Sequence, residues 1–243
     1  MPRDAISAVR PAIGRIICRD INSTGTAFVV NESGYLVSAN HVVSKMAFSN
    51  GSLVSNYSKD IQIEICGKAY DAAIVNDLSE PAPLVYDYVI LKIEPDDDLS
   101  AIKIEPLSNI SQGDDVICAG FPLDFDEMIV SKGIVSALVR HPSSSNSLQI
   151  VNSIVTDADM QFGTSGGPLL YADTGNVAGI NTRKHNHMDD LQSLYFEAKQ
   201  SLSETDYVRR LIESTLKFRH LGFHHANAIQ YVTMDPAYPK KGD

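Results

Sequence analysis

The feature that most limits the fold is a succession of short apolar runs rich in Val and Ile. They read RIICRD, TAFVV, YLVSA, IQIEI, AAIV, YVILKI, DVICAG, IVSKGIVSALV, LQIVNSIV, GPLLYA and NVAGINT, with Gly, Pro, Asn, Asp and Ser between them. β-branched side chains suit a pleated strand better than a helix, and the intervening residues favour turns. Strands this short and this often interrupted predict antiparallel sheets closed into barrels or sandwiches, not a parallel sheet under helices. Asn31-Glu32-Ser33-Gly34 predicts a hairpin turn. Residues 45–60, 78–86, 140–147 and 184–192 read as irregular loops.

One segment has another period. SETDYVRRLIESTLKFRH sets Tyr207, Val208, Leu211, Ile212 and Leu216 on one helical face, with Ser203 and Asp206 as a capping box. This predicts a C-terminal helix over about 203–219 packed on the second half of the domain, followed by a tail, 221–243, that is partly disordered.

With 243 residues, 44% apolar and 21% charged, the chain has material for one large globular domain or two small ones. A net charge of −10 argues against a nucleic-acid partner, which needs a basic surface. No apolar run approaches a membrane span of roughly 18 residues. MPRDAISAVRPAIGRIICRD has no signal-peptide pattern, and Cys18, Cys66 and Cys118 read as buried free thiols rather than a disulfide framework, so the expected location is cytoplasmic.

The chemistry concentrates around GTSGGP. A serine hydroxyl is a weak nucleophile until a base takes its proton and donors hold the resulting oxyanion. Gly163 can turn its own N–H and that of Ser165 toward one point, and Gly166 and Gly167 let a substrate backbone approach. The base should be a histidine held by a carboxylate. His41 ends the run YLVSAN, and Asp87 opens DYVILKIE, where an acid at the mouth of an apolar strand needs a partner. The candidate triad is therefore His41, Asp87 and Ser165.

On these blocks the chain resembles chymotrypsin-fold (trypsin-like) serine proteases of the HtrA/Deg branch. GTAFVVNESGYLVSANHVV is similar to that family's first hairpin and histidine block, and DYVILKIE to its aspartate strand. AGFPLDFDEMIVSKGIVSALV and TDADMQFGTSGGPLLYADTGNVAGINT are similar to its Gly-x-Pro turn and serine loop. The resemblance covers about residues 8–215 and implies a protease domain without a PDZ module. It also implies a mainly all-β fold of two six-stranded antiparallel barrels, at about 8–105 and 112–200, inside a domain spanning 1–220, with the triad in the cleft between them. Thr164 stands where the family usually has Asn or Asp, so activation by N-terminal clipping is not expected, and Phe162 stands where HtrA proteins often have proline.

The same resemblance sets Asp159 at the base of the pocket for the P1 side chain, with Thr182 and Lys184 near its wall. A buried acid there would favour a basic P1 residue, unless the Lys184 ammonium pairs with it or Asp157 is the acid that matters. HtrA proteins usually accept small apolar P1 residues, which leaves both preferences open.

The expected activity is a serine endopeptidase acting on polypeptides without a cofactor, restrained by a protein partner or a homo-oligomer that orders residues 160–164. Two alternatives are a catalytically silent protease-fold scaffold and an α/β-hydrolase-type esterase, since GTSGG also satisfies the nucleophile-elbow pattern. Pro168 and a strand-like run follow the serine where an elbow needs a helix, which weighs against the esterase. His185, His187, His224 and His225 complete no metal-ligand spacing and read as solvated, so no metal site is expected.

Overall fold

The computed structural model describes residues 2–49, 52–78, 87–122, 125–142, 149–184 and 224–240. A short helix, α1 (Pro2–Val9), leads into β1 (Ile13–Cys18), β2 (Ser23–Asn31) and β3 (Tyr35–Ser38). Next come α2 (Asn40–Val43), the hairpin β4 (Ser44–Ser49) and β5 (Ser52–Tyr57), then β6 (Ile61–Ile65), β7 (Lys68–Asp71), β8 (Ala73–Ile74) and β9 (Val89–Lys92). The first sheet has seven strands in the order β7-β6-β1-β2-β3-β9-β8. Its two edge strands, β7 and β8, are consecutive in the chain with Ala72 alone between them, so the sheet must curl until its edges meet.

The second half supplies β10 (Asp115–Gly120), β11 (Ile129–Pro142), β12 (Gln149–Thr156), β13 (Pro168–Tyr171), β14 (Val177–Lys184) and β15 (His224–Ala228). These close into a six-stranded barrel in the order β10-β11-β12-β15-β14-β13. The fold is therefore the expected mainly-β pair of barrels, with one strand more in the first sheet than the resemblance implied.

The sixth strand of the second barrel corrects the expected boundaries. Residues 224–228 are not tail; they pair with Ser153–Thr156 on one side and with β14 on the other. HHANA has no strand signature of its own, and the gap between β12 and β14 imposes the conformation. After β15 the chain forms α3 (Gln230–Thr233), and Ile229 and Val232 bury into the core of the first barrel. The loop expected at 45–60 is also revised, since it contains the β4–β5 hairpin. The predicted helix at 203–219 and most of the loops at 78–86, 140–147 and 184–192 lie outside the described residues.

The hairpin at 31–34 forms as its composition suggests. Gly34 N–H donates to the Asn31 carbonyl at 3.1 Å, Ser33 N–H donates to Asn31 Oδ1 at 2.7 Å, and Gly34 takes φ +94°.

The barrels meet across strands that are apolar on both faces. Along β10, Val116 and Cys118 point into the second barrel while Ile117 and Ala119 join the core of the first. Leu169 and Leu170 on β13 divide in the same way. Alternation of period two then produces an unbroken apolar run, because neither face is left to water. Cys18 and Cys118 are buried, and burial raises their thiols to about 11 and about 12. Cys66 departs from the expectation of burial: it is exposed, at φ +51° beside Gly67 at φ +74°, the signature of a two-residue type I′ hairpin between β6 and β7.

Candidate active site

His41 is presented by a single helical turn. Ala39, Val42 and Val43 bury into the first core, and Val42 N–H closes the turn on the Ala39 carbonyl at 3.1 Å. With those neighbours pointing inward, the His41 ring is left 46% exposed. Asp87 precedes β9 and is mostly buried, with 15% of its side chain exposed. Its Oδ1 accepts the His41 backbone N–H at 3.0 Å and its Oδ2 contacts ring Nδ1 at 2.7 Å. An ionised carboxylate only accepts, so Nδ1 donates; in the neutral ring Nε2 then keeps its lone pair, the tautomer that a general base requires.

Ser165 sits on two consecutive turns that share Thr164. Thr164 N–H donates to the Gln161 carbonyl at 3.0 Å, and Gly167 N–H donates to the Thr164 carbonyl at 3.0 Å. Each turn has a glycine with positive φ at its third position, Gly163 at +97° and Gly166 at +83°, which marks both as type II. A side chain on Gly166 would collide with Ser38 Oγ and the Thr26 carbonyl. The Thr164 hydroxyl donates to the Gln161 carbonyl at 2.7 Å, so the residue in place of the family's usual Asn or Asp ties the first turn to itself. Among the described residues, the N–H groups of Gly163 and Ser165 have no protein acceptor.

The residue that joins the two halves is Thr26, which sequence reasoning missed. It is fully buried on β2. Its N–H donates to the Ser165 carbonyl at 2.8 Å, and its hydroxyl donates to the Gly163 carbonyl at 2.8 Å. The same hydroxyl accepts Phe121 N–H at 2.9 Å, and its carbonyl accepts Ser38 Oγ–H at 2.7 Å. The preceding Gly25 is equally confined: a Cβ there would lie 2.6 Å from Val42 Cγ1 and 2.9 Å from the Ser165 carbonyl. The side chain next to His41 and the backbone of Ser165 thus meet across one glycine. Among the described residues, no hydrogen bond joins the Ser165 hydroxyl to the His41 ring.

The trypsin-like peptidase domain matches residues 25–180. The chain belongs to that family, and within it to the HtrA-like serine proteases. Mouse serine protease HTRA4 is 34% identical over 167 residues, which is 67% of this chain and 30% of the mouse protein. A probable periplasmic serine endoprotease, DegP-like, of Pseudomonas fulva is 30% identical over 186 residues, 76% of this chain and 34% of its own length. The chain therefore spans about a third of the length of these curated relatives. Among solved structures, the HtrA-type protease AlgW with a tripeptide superposes with TM-score 0.59 at 28% identity, covering 75% of this chain and 54% of that one. The serine endoprotease from Yersinia pestis covers 96% of this chain and 64% of its own at TM-score 0.63 and 21% identity, which supports the fold.

Within this trypsin-like frame the expected P1 pocket looks different from its sequence reading. Asp159 is exposed rather than buried, and its Oδ2 accepts Gln161 Nε2–H at 3.4 Å. Its carbonyl accepts Ser131 Oγ–H at 2.6 Å. Asp157 has a structural task, since its Oδ1 accepts the Ile134 N–H of β11 at 2.7 Å. Thr182 is buried, and its hydroxyl has no partner among the described residues. Lys184 ends β14 opposite His224, with its side chain outside the described set. No group of three or more His, Cys, Asp or Glu residues is placed to hold a metal among the described residues, and His185 and His187 lie beyond them. The strand that begins at Pro168 disposes of the hydrolase-elbow alternative, which needs a helix there.

Proposed function

We propose that the chain is a serine endopeptidase domain working through His41, Asp87 and Ser165. The observation that carries this reading is the two-point grip of Asp87 on His41, through the backbone N–H and through Nδ1. His41 Nε2 takes the Ser165 proton as Oγ attacks the scissile carbonyl, and later delivers it to the leaving amine. Asp87 holds the ring and stabilises the imidazolium. The N–H groups of Gly163 and Ser165 receive the oxyanion, and water then hydrolyses the acyl-enzyme. A fluorophosphonate probe tests the assignment: it should label Ser165 in the wild type and not in His41→Ala.

The substrate class is polypeptide, supported by the serine proteases among the relatives and by the structure of AlgW with a tripeptide. An exposed acid gains little from an ion pair. The exposure of Asp159 therefore supports a P1 pocket without strong preference for Arg or Lys, which a peptide-library cleavage profile would measure. Restraint falls to a protein partner or a second copy acting on residues 160–164, where Phe162 is 64% exposed. Full-rate casein cleavage by the purified monomer would refute that regulation.

The missing hydrogen bond between Ser165 and the His41 ring favours one second reading, a catalytically silent scaffold. Absence of probe labelling in the folded wild type would select it.

A further inference from the structure

The segment after β15 makes a contact that the triad reading does not use. It leaves the second barrel, buries Ile229 and Val232 in the first core, and brings Asp235 to Tyr88. The Tyr88 hydroxyl donates to Asp235 Oδ2 at 2.7 Å. Tyr88 is 2% exposed and directly follows Asp87. Burial, with Asp235 beside it, pushes the phenol well above the usual tyrosine range, so it remains a donor. The Asp235 carboxylate is itself oriented. Its Oδ1 accepts Ala237 N–H at 2.9 Å, while its carbonyl accepts Tyr238 N–H at 3.0 Å. Ala237 and Tyr238 pack on the first core, so the turn is anchored by apolar contact as well.

Asp87 needs such support. Its φ is +49°, in the left-handed region, which Asp enters more readily than most residues with a side chain but still at a cost. A backbone of that kind persists only where its surroundings over-determine it. The restraint on its C-terminal side is Tyr88, locked by burial around its ring and by Asp235 at its hydroxyl.

We infer that Tyr88 and Asp235 are positioning residues: the segment that closes the second barrel also straps the first, and through the Tyr88–Asp235 hydrogen bond it sets Asp87 at the angle that lets it hold His41. This deepens the triad reading above and rests on it. The strap touches no reacting atom, and its effect is carried by the backbone between residues 87 and 88.

The test uses the full chain with Tyr88→Phe, Asp235→Ala and Asp235→Asn beside the wild type and His41→Ala. Thermal melting establishes that each variant is folded. The readouts are the rate of fluorophosphonate labelling at Ser165 and the low-field proton resonance of His41 Nδ1–H. Tyr88→Phe keeps the ring in its site, so it isolates the hydrogen bond. Folded Tyr88→Phe and Asp235→Ala should label about 10- to 100-fold more slowly, the scale of a small misplacement of a catalytic group, and their His41 resonance should broaden or move. Asp235→Asn should recover most of the rate, because its amide can accept from Ala237 N–H and donate to the phenol oxygen. Wild-type rates and an unchanged resonance in both Tyr88→Phe and Asp235→Ala would overturn the strap while leaving the triad intact. Failure of the wild type itself to label would remove the triad reading instead. The resonance would then decide alone: lost in the two variants it supports the strap, unchanged it overturns it.

Discussion

The two halves of the candidate site are held by different means. In the first barrel, His41 and Asp87 are joined side chain to side chain, with one backbone N–H adding a second point of contact. In the second, Ser165 is held by backbone geometry: two type II turns, two glycines at positive φ, and carbonyls captured by Thr26. The first half depends on residue identity at two distant positions, so one substitution can delete it. The second depends on conformation, so it fails when the chain can no longer hold its turns. A hydroxyl outside the triad, on the first barrel, supports the second half.

Experiments can sharpen or break this contrast. Ser165→Ala removes the nucleophile and should lower turnover by roughly 10⁴-fold or more with little change in melting temperature; near-native rates in a steady-state assay would refute the assignment. Thr26→Val keeps the shape of Thr26 but frees the Gly163 carbonyl, and a drop of about 10- to 100-fold in labelling is expected. Thr26→Ser should restore most of it. If Thr26→Val labels like the wild type, the turns hold themselves and the contrast dissolves.

Two carboxylates allow a subtler comparison of the barrels by pH. In the first, Lys59 N–H and the Ser58 hydroxyl hold Asp20 below its usual range. On the segment that leads into the second, Asn109 and Asn176 do the same for Glu105. A depressed folded-state value adds stability that is present above the unfolded carboxylate range and lost as pH falls through the folded value. Melting temperature should therefore fall on acidification, and less steeply in Asp20→Asn and Glu105→Gln. An unchanged slope in both would show that neither carboxylate couples to folding. The smallest effect concerns the hairpin at Cys66. Type I′ turns favour Asn before Gly, so Cys66→Asn should raise stability by about 0.5 kcal/mol. In the wild type a thiol reagent should modify Cys66 alone while the fold holds, since the Cys18 and Cys118 thiols are buried and pushed up to about 11 and about 12.

Much of the architecture could be read from residue order. Val- and Ile-rich runs bounded by turn residues correspond to most of the strands, because period and punctuation are local signals. What escaped was written elsewhere in the chain. KAYD and HHANA are strands only because neighbours present free edges to them, and SKMAFS pairs with SLVSNY without the Val and Ile dominance of the other runs. The site divides similarly. His41, Asp87 and Ser165 stand out by residue type and surroundings, and the structure brings the first two into direct contact. Thr26 is invisible in sequence because half its task is done by its own N–H and carbonyl, which every residue except proline also carries. Asp159 differs in one respect: its spacing from the serine suggested a buried acid, and the residue is exposed, with Gln161 Nε2–H on its Oδ2.

The late position of β15 has a consequence for synthesis. On the ribosome, five staves of the second cylinder emerge well before the one that seals it, and the acid that steadies Tyr88 follows later still. A nascent chain therefore carries all three candidate side chains well before the second cylinder is shut. On the triad reading, cutting power would arrive only after residues 224–238 have been made and have closed the cylinder, not when Ser165 itself emerges.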